Sequence, residues 1–194
     1  MSFHFLHQST KVLIDCGVHF FEGMEDVIQR ESVDDSWTVY GFEANPIVSQ
    51  RLPTYSCPVE NILLQNKAVW IREEKLLFRV EESIGYASTL MDECHWSLLR
   101  DHPCSFDAIE VQGFDFSEFL LKLPKKTEYV VVKMDIEGAE FIVLEHLVRN
   151  ATHTIMDKLY VEFHDRYMGP EFTKLKKDLL AELRRDGVEV IIWY

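Results

Sequence analysis

The chain has 194 residues, and the side chains able to move protons, hold cations or grip hydroxyls gather in four short stretches. The densest is Lys133-Met-Asp135-Ile-Glu137-Gly138-Ala-Glu140, which follows the apolar run Tyr129–Asp135. Side chains alternate along a strand, so Lys133, Asp135 and Glu137 are expected on one face at its carboxyl end. An apolar strand has no packing reason to finish in that cluster. Carboxylates so close raise at least one pKa, a mark of functional sites, and Lys133 is the counter-ion expected to offset them. The plain structural alternative is a strand end followed by an acidic helix start, with Glu140 in the first turn. A second stretch, Glu162-Phe-His164-Asp165, puts Glu162 and His164 on one face of the next strand. Asp135, Glu137, Glu162 and His164 are therefore expected around one cleft. Histidine suits general base work near neutral pH, and Asp135, Glu162 and His164 form the candidate catalytic set. The four residues together are also a ligand set for a divalent metal. A satisfied core histidine is the third alternative.

The other two stretches are Asp15-Cys-Gly17 and Glu43-Ala-Asn45-Pro46. Glycine at 17 permits a turn and a close backbone approach to a ligand, or serves the turn alone. Glu43, placed after a strand, can accept hydrogen bonds from both hydroxyls of a ribose. Equally, it can cap the helix that Pro46 opens. Neither GxGxxG nor GxxxxGK[ST] occurs, so nicotinamide, flavin and ATP sites lose their strongest support.

The elements that must position these residues alternate between strand and helix. Lys11–Cys16, Thr38–Glu43, Ile62–Ile71, Leu76–Val80, Tyr129–Asp135, Leu159–His164 and Val188–Trp193 read as strands, with Ile109–Gln112 a short strand or turn. Leu76–Val80 is expected to form a hairpin with the strand before it. Helical spacing marks Phe20, Met24, Val27 and Ile28, then Phe116–Leu123, then Phe141, Leu144 and Val148, and finally Phe172 to Leu183 ended by Gly187. Between Glu81 and His102 the pattern weakens, which fits either a lid or a short helix over Met91–Arg100. This alternation implies an α/β fold with a mostly parallel central sheet and helices on both faces. Ligands in such sheets bind beyond the carboxyl ends of the strands, where all four stretches fall.

A formal charge of −13 opposes nucleic acid and acidic membrane surfaces as partners. No apolar run approaches the roughly 20 residues that span a bilayer, and Met1 to Lys11 lacks the pattern of a secretion signal. Cys16, Cys57, Cys94 and Cys104 never form CxxC, so they read as reduced thiols of a cytoplasmic protein without a structural zinc site. With 13 Phe and 4 Trp the chain has ample apolar surface for a core, and no linker or repeat divides residues 1–194, which read as a single domain.

The segments Val12–Gly17, Tyr40–Pro46, Lys133–Leu147 and Tyr160–His164 resemble, in this order, the FkbM family of S-adenosylmethionine-dependent methyltransferases of the class I, Rossmann-like group. The family's KxDxEGxE is matched at Lys133, Asp135, Glu137, Gly138 and Glu140, and its FExxP at Phe42, Glu43 and Pro46. The resemblance implies a Rossmann-like class I methyltransferase fold. It implies that Asp15 and Gly17 line the methionine end of S-adenosylmethionine, with His19 at a position where the family usually has Asn. Glu43 would hold the ribose hydroxyls with Asn45 beside it, Asn66–Ala68 would pass near the adenine, and Asp135 would sit beside the transferred methyl. Two departures stand out. Gly23 comes later than the family's second glycine, and only one strand follows the last helix where class I folds end in an antiparallel hairpin. The seventh strand is thus expected to be missing, or supplied by Phe3–His7.

The resemblance further implies O-methyl transfer to a hydroxyl of a sugar or another small hydroxylated acceptor. Such a hydroxyl needs its proton removed as the bond forms, and the residue types assign that to His164 or Asp135, directly or through a metal-bound hydroxyl. Phe20, Phe21, Tyr86, His95 and Trp96 are candidates for an aromatic platform under a sugar, or for core. The rival reading is a degenerate Rossmann-like module that binds cofactor or a protein partner without catalysis. The sequence leaves the oligomeric state open.

Overall fold

The computed structural model describes residues 10–54, 57–59, 62–81, 88–91 and 106–193. In chain order the strands are β1 (Lys11–Cys16), β2 (Trp37–Phe42), β3 (Ile62–Gln65), β4 (Ala68–Trp70), β5 (Lys75–Glu81), β6 (Phe106–Asp115), β7 (Tyr129–Met134), β8 (Lys158–Glu162) and β9 (Glu189–Trp193). The α-helices among the described residues are α1 (Met24–Glu31), α2 (Pro46–Arg51), α3 (Phe116–Leu121), α4 (Glu140–Arg149) and α5 (Pro170–Arg185).

Six strands form one sheet in the order β3-β2-β1-β7-β8-β9. Every pairing in it is parallel. This is the α/β architecture expected from the alternation of strand and helix. Parallel strands covered on both faces need apolar residues at every position, and alternation then divides them between two cores. Val12, Ile14, Cys16, Val130, Val132, Met134, Leu159 and Val161 pack with α4 and α5 on one face. Leu13, Val39, Val131 and Tyr160 pack with Val27 of α1 on the other. Phe114, Phe116 and Phe119 close the first core against Tyr40 and Phe42 of β2, with ring centroids 4.5 to 6.3 Å apart.

β4, β6 and β5 form a second, three-stranded sheet, in which β4 runs parallel and β5 antiparallel to β6. Here the structure departs from the sequence reading in three ways. The expected strand Ile62–Ile71 is two strands in different sheets, because Asn66 turns inward and donates from Nδ2 to the carbonyls of Glu43 (2.8 Å) and Ala44 (3.2 Å). β5 forms no hairpin with its predecessor; its partner is β6. And Ile109–Gln112 is the middle of a ten-residue strand.

At the far edge, β9 pairs parallel with β8, and no antiparallel strand joins the six-stranded sheet among the described residues. The Phe3–His7 alternative, and most of the Glu81–His102 segment including Tyr86, His95 and Trp96, lie outside those residues. Phe21 is a core residue with Val18, Met24 and Leu52, which settles its alternative as core, and Phe20 is partly buried against it. Cys16 and Cys57 are free thiols. No helix among the described residues is long and apolar enough to cross a membrane.

Candidate active site

The parallel ladder extends past the strand ends and fixes the backbone of the site. Gly17 and Val18 donate to the carbonyl of Phe42 (2.9 and 3.2 Å), Glu43 donates to Gln65 (3.0 Å), and Asp135 donates to Cys16 (3.0 Å). The carboxyl ends of β1, β2 and β7 are thereby held in one register. Gly17 has a φ of +84°, and a Cβ there would lie 1.9 Å from the carbonyl oxygen of Asp135. Only glycine allows the two chain segments to touch.

A cleft of about 340 Å³ opens along this edge. Gly17, His19, Glu43, Ala68, Asp135, Glu137, Glu162 and His164 line it together with Lys67, Ser88, Leu90 and Arg166. Glu43 and Asp135 thus face one cavity. They follow β2 and β7, which are separated by β1, so about 10 Å of sheet lies between them.

Glu43 is buried and accepts the backbone N–H of His19 at Oε2 and of Asn45 at Oε1, both at 2.8 Å. Burial raises its pKa, and these two bonds work against the rise. Helix capping falls to Asn45, whose Oδ1 accepts from Ile47 at 2.9 Å and from Val48. Glu43 is no cap. A carboxylate has about four acceptor positions, so two remain for a ligand's hydroxyls. His19 adopts φ 45°, a left-handed conformation that Asn and His enter more readily than most residues. Asn45 and Asn66 stand outside the lining; they brace the loop that carries Glu43.

Asp15 is fully buried behind the cleft wall, where Lys133 Nζ reaches its Oδ1 at 3.0 Å and the carbonyl of Gly17 at 3.2 Å. Burial pushes the Asp15 carboxyl up to about 6 despite the lysine, and its Oδ2 has no hydrogen-bond partner. Lys133 is thus the partner of Asp15. The expected sharing of a face by Lys133, Asp135 and Glu137 fails because β7 ends at Met134 and the chain turns through positive φ at Glu137 (53°) and Gly138 (98°).

The cation amid the acidic group is His164. Its Nε2 lies 3.3 Å from Glu137, 3.8 Å from Glu162 and 3.9 Å from Asp135. Its Nδ1 faces Oε1 of Glu140 at 3.1 Å, and the same oxygen accepts the His164 backbone N–H at 2.8 Å. The other oxygen of Glu140 accepts from Gly138 at 2.7 Å. Burial opposes the charge on His164, yet Glu140, Glu137 and Asp135 push its pKa up to about 9. Burial pushes Glu137 up to about 8 against the pull of His164, and Glu162 also rises through burial and the charge of Asp135. At neutral pH His164 therefore holds its proton. Side-chain exposure falls from 30% at Asp135 through 22% at Glu137 and 18% at Glu162 to 4% at His164, so Asp135 is the member most open to a ligand. Glu140 opens α4 as an acidic helix start, and it also binds His164 and Gly138, a role signalled in the sequence by its place two positions beyond Gly138 in the KxDxEGxE stretch.

Thr89 lies between Ser88 and Leu90 of the lining and ties that segment to the second sheet and to the turn at Glu137. Its hydroxyl donates to the carbonyl of Glu137 at 2.6 Å, and Thr89 pairs with Arg79 of β5. Neither Thr89 nor Arg79 was singled out from the sequence, because nothing in their spacing points to Glu137.

Residues 15–188 match the Methyltransferase FkbM domain. Among solved structures, the chain is similar to an FkbM methyltransferase from Methylobacillus flagellatus KT at 16% identity and a TM-score of 0.42. The match covers 77% of this chain and 32% of that one, so the chain spans about a third of that protein's length. No curated protein matches the sequence. With the match running over residues 15–188 of its 194, the chain belongs to the FkbM methyltransferase family.

Proposed function

We propose that the protein is an S-adenosylmethionine-dependent O-methyltransferase acting on a hydroxyl of a sugar or another small hydroxylated acceptor. One observation carries this reading: a single cleft collects Glu43, with two acceptor positions left over, and the Asp135–His164 group. Glu43 would hold the ribose hydroxyls, and Ala68 and Val69 would offer the apolar wall against which an adenine packs. Gly17 and Asp135 would flank the methionine end. The buried Oδ2 of Asp15, lacking a partner just behind Gly17, fits the neighbourhood of a cationic ligand.

When bound, S-adenosylmethionine supplies an electrophilic methyl, which the acceptor oxygen takes as the carbon–sulfur bond breaks with its electron pair going to sulfur. The protein's share is to place the acceptor in line and to remove its proton. Asp135, the member most open to the cleft, would be the proton-accepting carboxylate. His164, protonated, would hold Asp135 and Glu137 in place through Nε2, and Glu162 completes the set.

Turnover with a panel of hydroxylated acceptors, followed by S-adenosylhomocysteine release, tests the reading. Asp135→Asn should lower the rate by roughly two to four orders of magnitude with affinity for S-adenosylhomocysteine retained. An unchanged rate removes Asp135 from the chemistry. Saturable cofactor binding without turnover on any acceptor favours the non-catalytic module.

A further inference from the structure

We infer that Asp135, Glu162 and His164 bind a divalent transition cation on the floor of the cleft. One donor atom from each lies within 4.8 Å of the other two. Donors that share an ion at about 2.0 to 2.2 Å stand roughly 3 to 4 Å apart. The His164 Nε2 separations from Asp135 and Glu162, 3.9 and 3.8 Å, meet that spacing with small side-chain movements.

Two features outside the ligand trio support the site. First, Glu140 is fully buried and binds His164 through both the backbone N–H and Nδ1, which leaves Nε2 directed at Asp135 and Glu162. A carboxylate behind a histidine, fixing the ring and raising its basicity, is the usual support of a metal-bound imidazole. Second, Asp135, Glu137, Glu140 and Glu162 converge on the single imidazole of His164 in a largely buried pocket, a concentration of oxygen donors around one ring that suits a bound dication. The chemistry of the donors, one imidazole and two carboxylates, favours manganese, iron or zinc over calcium.

The partial exposure of Asp135 and Glu162 leaves coordination positions facing the cleft, as in catalytic rather than structural metal sites. An acceptor hydroxyl bound there loses its proton more readily. The ion's role in catalysis rests on the methyltransferase reading; its binding does not.

Chelator-treated protein titrated with Mn²⁺, followed by the electron paramagnetic resonance signal of free Mn²⁺, tests the site. One saturable equivalent is expected. Glu162→Gln and Asp135→Asn, both at partly exposed positions, should each weaken it at least tenfold while the circular dichroism spectrum stays unchanged. Absence of saturable binding at millimolar Mn²⁺, or binding unaffected by both substitutions, overturns the site. S-adenosylhomocysteine titrated into the same samples separates the two readings: retained binding with no Mn²⁺ site removes the metal alone, and lost binding with an intact Mn²⁺ site removes the methyltransferase reading alone.

Discussion

Glu140 holds His164 at two points, the backbone N–H at 2.8 Å and Nδ1 at 3.1 Å, from a single fully buried carboxylate oxygen. It spends its other oxygen on Gly138, in the turn that carries Glu137. One side chain in the first turn of α4 thus orients both the imidazole and the neighbouring acidic loop.

Replacing Glu140 by Gln keeps the shape and removes the charge. The His164 titration, read by NMR of the imidazole protons, should move down from about 9. Turnover should fall about 10- to 100-fold, the usual effect of losing such a support. A purely structural Glu140 would leave the His164 midpoint unmoved.

Lys133 and Asp15 form an ion pair closed to solvent. Lys133→Met removes the cation and leaves the buried carboxylate alone, at an expected loss of about 3 to 5 kcal/mol in urea unfolding. The double variant Lys133→Met, Asp15→Leu should recover much of that loss, because two apolar groups replace two buried charges. Equal stability of the single variant and the wild type would contradict the pairing.

Gly17→Ala tests the contact between the ends of β1 and β7. A methyl group there would overlap the Asp135 carbonyl, and the left-handed conformation alone costs roughly 1 to 2 kcal/mol with a side chain. The melting temperature should fall, and affinity for S-adenosylhomocysteine should fall with it, since Asp135 must shift. A variant with normal melting and normal affinity would show that the two segments can separate freely.

The pH dependence of stability follows from two groups with one sign. His164 is raised from 6.5 to about 9, so the stability its charge contributes is complete below 6.5 and is lost as pH climbs through 9. Glu137 is raised from 4.5 to about 8; the unfolded chain releases that proton first, so stability also declines from 4.5 up to 8. In metal-free protein the melting temperature should therefore drop between pH 6.5 and 9, and Glu137→Gln should flatten the curve over its lower part. A melting temperature rising across that range would contradict the arrangement.

Much of this was readable in advance because parallel strands buried on both faces leave near-continuous apolar runs, as in Val12–Cys16 and Tyr129–Met134. Polar residues just beyond such runs can only lie at the sheet's carboxyl edge, which is why Glu43, Asp135 and His164 were found together. What the sequence hid came from partners distant along the chain. The break at Asn66 is set by the carbonyls of Glu43 and Ala44, and no Gly or Pro marks it. The role of Lys133 depends on an aspartate 118 positions away. The alternation that grouped Lys133 with Glu137 stops where β7 ends, at Met134, ahead of the left-handed turn at Glu137 and Gly138.

Calorimetric titration of S-adenosylhomocysteine into the wild-type protein and Glu43→Ala tests the central claim most directly. One molecule should bind the wild type saturably, and the variant should bind at least tenfold more weakly while keeping its melting temperature within a few degrees. No binding heat at millimolar ligand, or identical affinities in the two proteins, would contradict the assignment of this cleft.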